Sequence, residues 1–152
     1  MERWKQEINA GNQYFRKHQY CEARECYTHA QVRARALYPH WHNAEEAVAA
    51  VVITDLNLVD LFLEQQRLDD AEVQLRSLYS FLCTGLANEA GGPKEEALYH
   101  GLQRCRMAMM NFCQDYSRDC GQEVSRLDNI VDLPSLRRAV KDSYHYPKEG
   151  SL

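Results

Sequence analysis

From Trp4 to Leu86 the apolar residues recur three or four positions apart, interrupted only by short polar pauses. That spacing is the period of an α-helix, and no stretch keeps up the apolar–polar alternation of a half-buried strand. A first helix is therefore expected over about 2–17, with Trp4, Ile8, Tyr14 and Phe15 on its apolar side. A second runs over about 20–38 on the stripe Tyr20, Ala23, Tyr27, Ala30, Ala34 and Leu37, ending ahead of Pro39 because a residue before proline avoids the helical region. The third, about 43–65, is apolar on more than one side (Ala44, Ala47, Val48, Val51, Val52, Leu56, Leu58, Val59, Phe62, Leu63), so it is expected to be central and contacted on two faces. The fourth, about 68–88, carries Leu68, Ala71, Leu75, Leu78, Leu82 and Leu86. After the break NEAGGP at 88–93, a fifth begins near Lys94, with Gly121 marking its end. A helical continuation to Leu127, a last helix over 135–144 opened by Pro134 and a loose tail complete the reading. The expectation is an all-α fold of about five to seven antiparallel helices, with residues 1–145 as one domain and 146–152 as a flexible C-terminal tail.

The composition agrees with this and narrows the function. A chain of 152 residues holds one proper core, and only 7 Gly and 4 Pro leave few tight turns. A net charge of -4 and a pI near 5.9 give no basic footprint for nucleic acid; Arg33 and Arg35 read as a solvated helix end. The N-terminus has no apolar segment behind its charges, so no secretory signal is expected. The longest apolar run, Ala47 to Ile53, is far short of a membrane span. None of the six cysteines forms a CxxC pair, and free thiols in a cytoplasmic protein are expected.

The segment NAGNQYFRKHQYCEARECYTHA, residues 9–30, repeats in degraded form. A shift of 48 residues carries Gly11 to Val59, Tyr14 to Phe62, Tyr20 to Leu68, Ala23 to Ala71, Tyr27 to Leu75 and Ala30 to Leu78. The turns RKHQY and EQQRL correspond as well. On Ala10, Gly11, Tyr14, Tyr20, Ala23, Tyr27 and Ala30 the chain resembles the tetratricopeptide repeat family, helix–turn–helix units of about 34 residues. The best match is 4–38, with a weaker copy at 54–88 in which Val59 replaces the small Gly. Two departures are that Glu7 stands where the family has Trp, and that no proline closes the second helix on time. A third copy aligned through Gly101 places Arg104 opposite Tyr14.

The resemblance implies stacked helix pairs that share a core, with small residues allowing close approach and Tyr14, Tyr20 and Tyr27 filling the space between. It also implies a concave groove, lined by the first helix of each pair, that holds a partner's peptide or helix. One subgroup of the family grips C-terminal carboxylates through two asparagines and several basic residues. Asn12 corresponds to the first asparagine, and Asn57, two residues before Val59, is taken as the second. Ile8 stands where that subgroup has a lysine, which argues against the full clamp. The expected groove is Lys5, Asn9, Asn12, Arg16, Asn57, Asp60 and Glu64, a mixed-charge lining suited to a polar peptide.

Other chemistries are thinner. His40 and His42, beside Glu45 and Glu46, offer two imidazoles where zinc takes three or four ligands. Glu25–His29 and Glu96–His100 are spaced by four, not by the three of a di-iron bundle. Cys105, Cys113 and Cys120 share a helix face but have no histidine placed to activate them. Trp4, Trp41 and Tyr144–Tyr146 put aromatics near element ends, a route to self-association. The expected protein is thus a non-catalytic interaction module with no cofactor, no metal, no nucleic acid and no membrane, its partner a protein or peptide. The alternatives are a structural homodimer that occludes its own groove and, further off, a helical-bundle metal protein or enzyme.

Overall fold

A computed structural model describes residues 1–118. It has five helices and, among those residues, no strand: α1 (Glu2–Arg16), α2 (Tyr20–Leu37), α3 (Ala44–Glu64), α4 (Leu68–Asn88) and α5 (Glu95–Asp115). The chain divides into two compact units at Ala108 and Met109, within α5. α1 packs on α2, α2 on α3 and α3 on α4, and α1 also touches α3. The expected helix 135–144 and the tail lie outside the described residues.

α3 starts where Asn43 accepts a hydrogen bond from the backbone N–H of Glu46 at 3.1 Å, an N-cap followed by two acidic residues in the first turn. As its all-round apolar pattern implied, α3 is central. Ala47, Val48, Ala50, Val51, Val52, Leu58, Val59, Leu61 and Phe62 are all buried. Opposite them lie the alanines of α2 and Ala71, Leu75, Leu78 and Leu82 of α4.

The C-terminal ends of α1 and α3 close alike. Gln19 N–H donates to the Tyr14 carbonyl at 2.9 Å, and Arg67 N–H to that of Phe62 at 2.8 Å. Each six-residue closure passes through a left-handed residue, His18 (φ 57°) or Gln66 (φ 56°), the Schellman geometry. α5 ends the same way: Ser117 has φ 51° and Arg118 N–H donates to Cys113 at 3.1 Å. This corrects one expectation. α5 ends at Asp115, before Gly121, because the helix-terminating turn needs no glycine here. Gly101 serves packing: a Cβ there would meet Val48, Val52 and Leu82 side chains at 3.0–3.2 Å.

Gly11 leaves room for a neighbouring ring. A Cβ on it would lie 2.5 Å from Cε1 of Tyr27, whose ring is 2% exposed and tethered by its hydroxyl to Asn12. Gly11→Ala is expected to destabilise by about 1–3 kcal/mol through overpacking, despite a helix-propensity gain of about 1 kcal/mol. A lowered urea midpoint at unchanged slope is the readout; an unchanged or raised midpoint would show that the ring yields. Tyr14 departs from its expected role. It is 37% exposed, so Tyr27 fills the space between helices while Tyr14 looks out. Tyr20 is half-buried and meets Phe15 edge-on.

Cys21, Cys26, Cys83 and Cys105 are free. Cys113 is disulfide-bonded, against expectation. A disulfide requires Cβ atoms about 3.8 Å apart, which the three-dimensional path sets and linear spacing does not reveal.

Candidate functional site

α1 and α3 run side by side with the Tyr27 ring of α2 beneath them. Between them opens a cleft of about 300 Å³ lined by Asn12, Phe15, Arg16, Tyr27, Asn57 and Asp60. Four expected groove residues, Asn12, Arg16, Asn57 and Asp60, therefore meet here. Lys5 and Asn9 on α1 and Glu64 on α3 are exposed and do not line the cleft. Phe15 and Tyr27 were read as packing alone; the phenol of Tyr27 was the available signal, since a buried hydroxyl must find a partner.

That partner is Asn12. The Tyr27 hydroxyl donates to Asn12 Oδ1 at 2.6 Å, and Asn57 Nδ2 donates to the same oxygen at 3.4 Å. Both bonds consume the Asn12 carbonyl oxygen, leaving its Nδ2 hydrogens and the Asn57 Oδ1 without a partner among the described residues. Burial, with Asp60 nearby, pushes the Tyr27 hydroxyl up to about 12, so it remains a donor. Asp60 is raised above the ordinary carboxyl range by loss of solvent and by the neighbouring charge of Glu64.

The pairing of Asn57 with Asn12 does not follow the repeat register. The 48-residue shift carries Asn12 onto Asp60 and Asn9 onto Asn57. Asn57, three residues before Asp60 and on the same helix face, reaches Asn12 instead, while another side-chain bond between the two helices, Trp4 to Thr54, spans 50 residues.

Other residues singled out in the sequence have structural partners. Glu7 receives two bonds from Arg33, at 2.8 and 2.9 Å, and this hydrogen bonding holds its carboxyl below the ordinary value. The Arg33–Arg35 pair is thus not a merely solvated helix end: Arg35 reaches Asp55 at 2.6 Å. Trp4 is buried and unavailable for association. Trp41 Nε1 donates to Glu46 at 2.8 Å, the His42 ring lies 4.8 Å from that of Trp41, and His100 lies 3.3 Å from Glu45. Among the described residues no three His, Cys, Asp or Glu side chains come together as metal ligands, and no helix is long and apolar enough to cross a membrane.

No curated protein and no solved structure matches the chain. The sequence model of one family, described as a protein of unknown function (DUF2753), matches residues 2–139. That match spans most of the chain, and the protein belongs to this family.

Proposed function

We propose that the protein is a non-catalytic, tetratricopeptide-like interaction module that holds a polar peptide segment of a partner protein in the α1–α3 cleft. The observation that carries this reading is the asparagine pair. With Oδ1 of Asn12 engaged, the pair presents one amide donor, Asn12 Nδ2, beside one acceptor, Asn57 Oδ1. A peptide unit offers the complementary carbonyl and N–H. Arg16 and Asp60 flank the pair with opposite charges, which favours a ligand carrying both signs over a carboxylate tail alone. Four free thiols favour a cytoplasmic setting, with the Cys113 disulfide as the exception.

The test is selection of peptides from a random display library on the purified chain, followed by calorimetry. Asn57→Ala is the informative variant, because its single bond within the protein is long. Asn12→Ala would also strand the buried Tyr27 hydroxyl and confuse binding with stability. Selected peptides are expected to bind Asn57→Ala about tenfold more weakly, a loss of about 1.4 kcal/mol, at unchanged thermal midpoint. Equal affinity for the variant, or competition unaffected by Asp60→Ala, would remove the assignment.

A further inference from the structure

A second cleft, of about 420 Å³, lies between the C-terminal part of α2 and α4, lined by Arg35, Tyr38, Ser77, Ser80, Phe81, Thr84, Gly85 and Asn88. None of these residues belongs to the α1–α3 cleft. Arg35 is held in place from two sides. One nitrogen bonds Asp55 at 2.6 Å, and the guanidinium carbon sits 4.1 Å from the centroid of Phe81. Its other N–H groups have no acceptor among the described residues, and the side chain is 28% exposed. Along α4, Ser77, Ser80 and Thr84 follow one another at spacings of three and four, so their hydroxyls stand on one face about one turn, or ~5 Å, apart. None of the three hydroxyls has a partner among the described residues. All three residues are exposed, so water serves these hydroxyls until a ligand displaces it.

Further along, Phe81 meets Tyr38 edge-on with ring centroids 5.0 Å apart, and Lys94 Nζ lies 4.7 Å from the Tyr38 ring centroid. Lys94 is 9% exposed and has no carboxylate in ion-pair reach among the described residues. Asp55, paired with Arg35, and Glu89, felt electrostatically by Tyr38, are acidic groups near this cleft. The Tyr38 hydroxyl is buried without a partner, close to Gly85; it is part of the wall, closed to a ligand.

We propose that this cleft binds a phosphoryl group, seated at its Arg35–Ser77–Ser80 end. A fixed guanidinium offers a parallel pair of N–H donors, which suits a carboxylate or a phosphate equally. The hydroxyls decide between the two. A carboxylate paired with the guanidinium keeps both oxygens in the plane of that fork, whereas a tetrahedral phosphoryl group has a third oxygen out of that plane for Ser77 or Ser80. The group sits at this end because Arg35 is the charged residue of the lining, set against the unfavourable C-terminal dipoles of both α2 and α4. Holding Arg35 between Phe81 and Asp55 before any ligand arrives reduces the ordering cost of binding.

The test is a titration of the isotope-labelled full chain, followed by two-dimensional amide NMR at constant ionic strength. The probes are inorganic phosphate, O-phosphoserine, a short peptide containing phosphoserine, and acetate. Saturable shifts are expected at Arg35, Ser77, Ser80 and Thr84 with the phosphoryl probes, and binding at least tenfold weaker with acetate. A peptide that binds tenfold tighter than inorganic phosphate identifies a phosphorylated side chain as the source; equal affinities identify free phosphate and its esters. Ser80→Glu puts a like charge at the site and is expected to weaken phosphoserine binding at least tenfold, and the Ser77→Ala, Thr84→Ala double variant several-fold. Val73→Glu, on the same helix at a position 66% exposed and outside the lining, should bind as the parent does. Absence of saturable shifts, acetate binding as tightly as phosphate, or undiminished binding by Ser80→Glu would overturn the proposal.

Discussion

Asp55→Ala is expected to destabilise the protein by about 3 kcal/mol, the lower end of the range for removing one partner of a buried ion pair. Asp55 is 0% exposed in the middle of α3. Its two oxygens take bonds from Gln31 at 2.8 Å and Arg35 at 2.6 Å, so two side chains of α2 are tied to α3 at one carboxylate. Without it Gln31 loses its acceptor and Arg35 its counter-charge. The partial exposure of Arg35 lets it regain water, which keeps the loss at the low end. Asp55→Asn retains an acceptor for Gln31 and is expected to lose less, about 1 kcal/mol. Urea unfolding at neutral pH measures both; equal losses would mean that the charge, not the acceptor, is what α3 requires. The pH dependence follows from opposed shifts. Burial raises Asp55 above its ordinary 3.8 more than Arg35, Gln31 and Gln74 lower it, so the folded state takes up its proton first. Its contribution therefore becomes more favourable as pH falls from the raised value toward 3.8. Glu7 is shifted the other way by its bonds from Arg33. Its contribution is present above the ordinary 4.5 and is lost as pH falls through the lowered folded value. Glu7→Gln should flatten the acid side of the stability profile, and Asp55→Asn should steepen it.

The contrast between Asp55 and Gly11 shows which information the linear pattern carries. Helical periodicity and the motif at 9–30 are local or repeated signals, and they placed five helices, the central role of α3 and the close approach at Gly11. The cleft was legible to the extent that neighbours in a stack expose equivalent faces; Asn12, Arg16, Asn57 and Asp60 emerged from that rule. The pairing of Asn12 with Asn57 did not, because it depends on how far each side chain reaches across the packed helices, which no repeat register encodes. Asp55 was invisible for a related reason. Its acidic side chain interrupts an apolar stretch, and its partners stand 20 and 24 residues away on a different helix. Buried polar bonds between helices are set by the final packing, and only their cost when unmet is general. The Cys113 disulfide belongs to the same class.

Trp4→Ala should cost about 3–5 kcal/mol, the range for truncating a buried aromatic, and should also weaken the α1–α3 cleft. The indole is 8% exposed and its Nε1–H donates to Thr54 Oγ1 at 2.8 Å, across 50 residues of sequence. Thr54 in turn donates to the Ala50 carbonyl at 2.7 Å, so its hydroxyl stays satisfied if the indole leaves. Trp4→Phe should then lose little beyond one hydrogen bond, about 1 kcal/mol. The difference between the two variants isolates the packing contribution of the ring. Among the described residues, Trp4–Thr54 and Asn12–Asn57 are the side-chain hydrogen bonds that join α1 directly to α3. They fasten the helices at two separate points, and the cleft lies beside the second. If the first fastening sets the spacing of the cleft walls, Trp4→Ala should lower peptide affinity even at temperatures where the chain stays folded, whereas Trp4→Phe should not. Equal affinities for both variants would mean that Tyr27, wedged against Gly11 and bonded to Asn12, suffices to hold the walls apart.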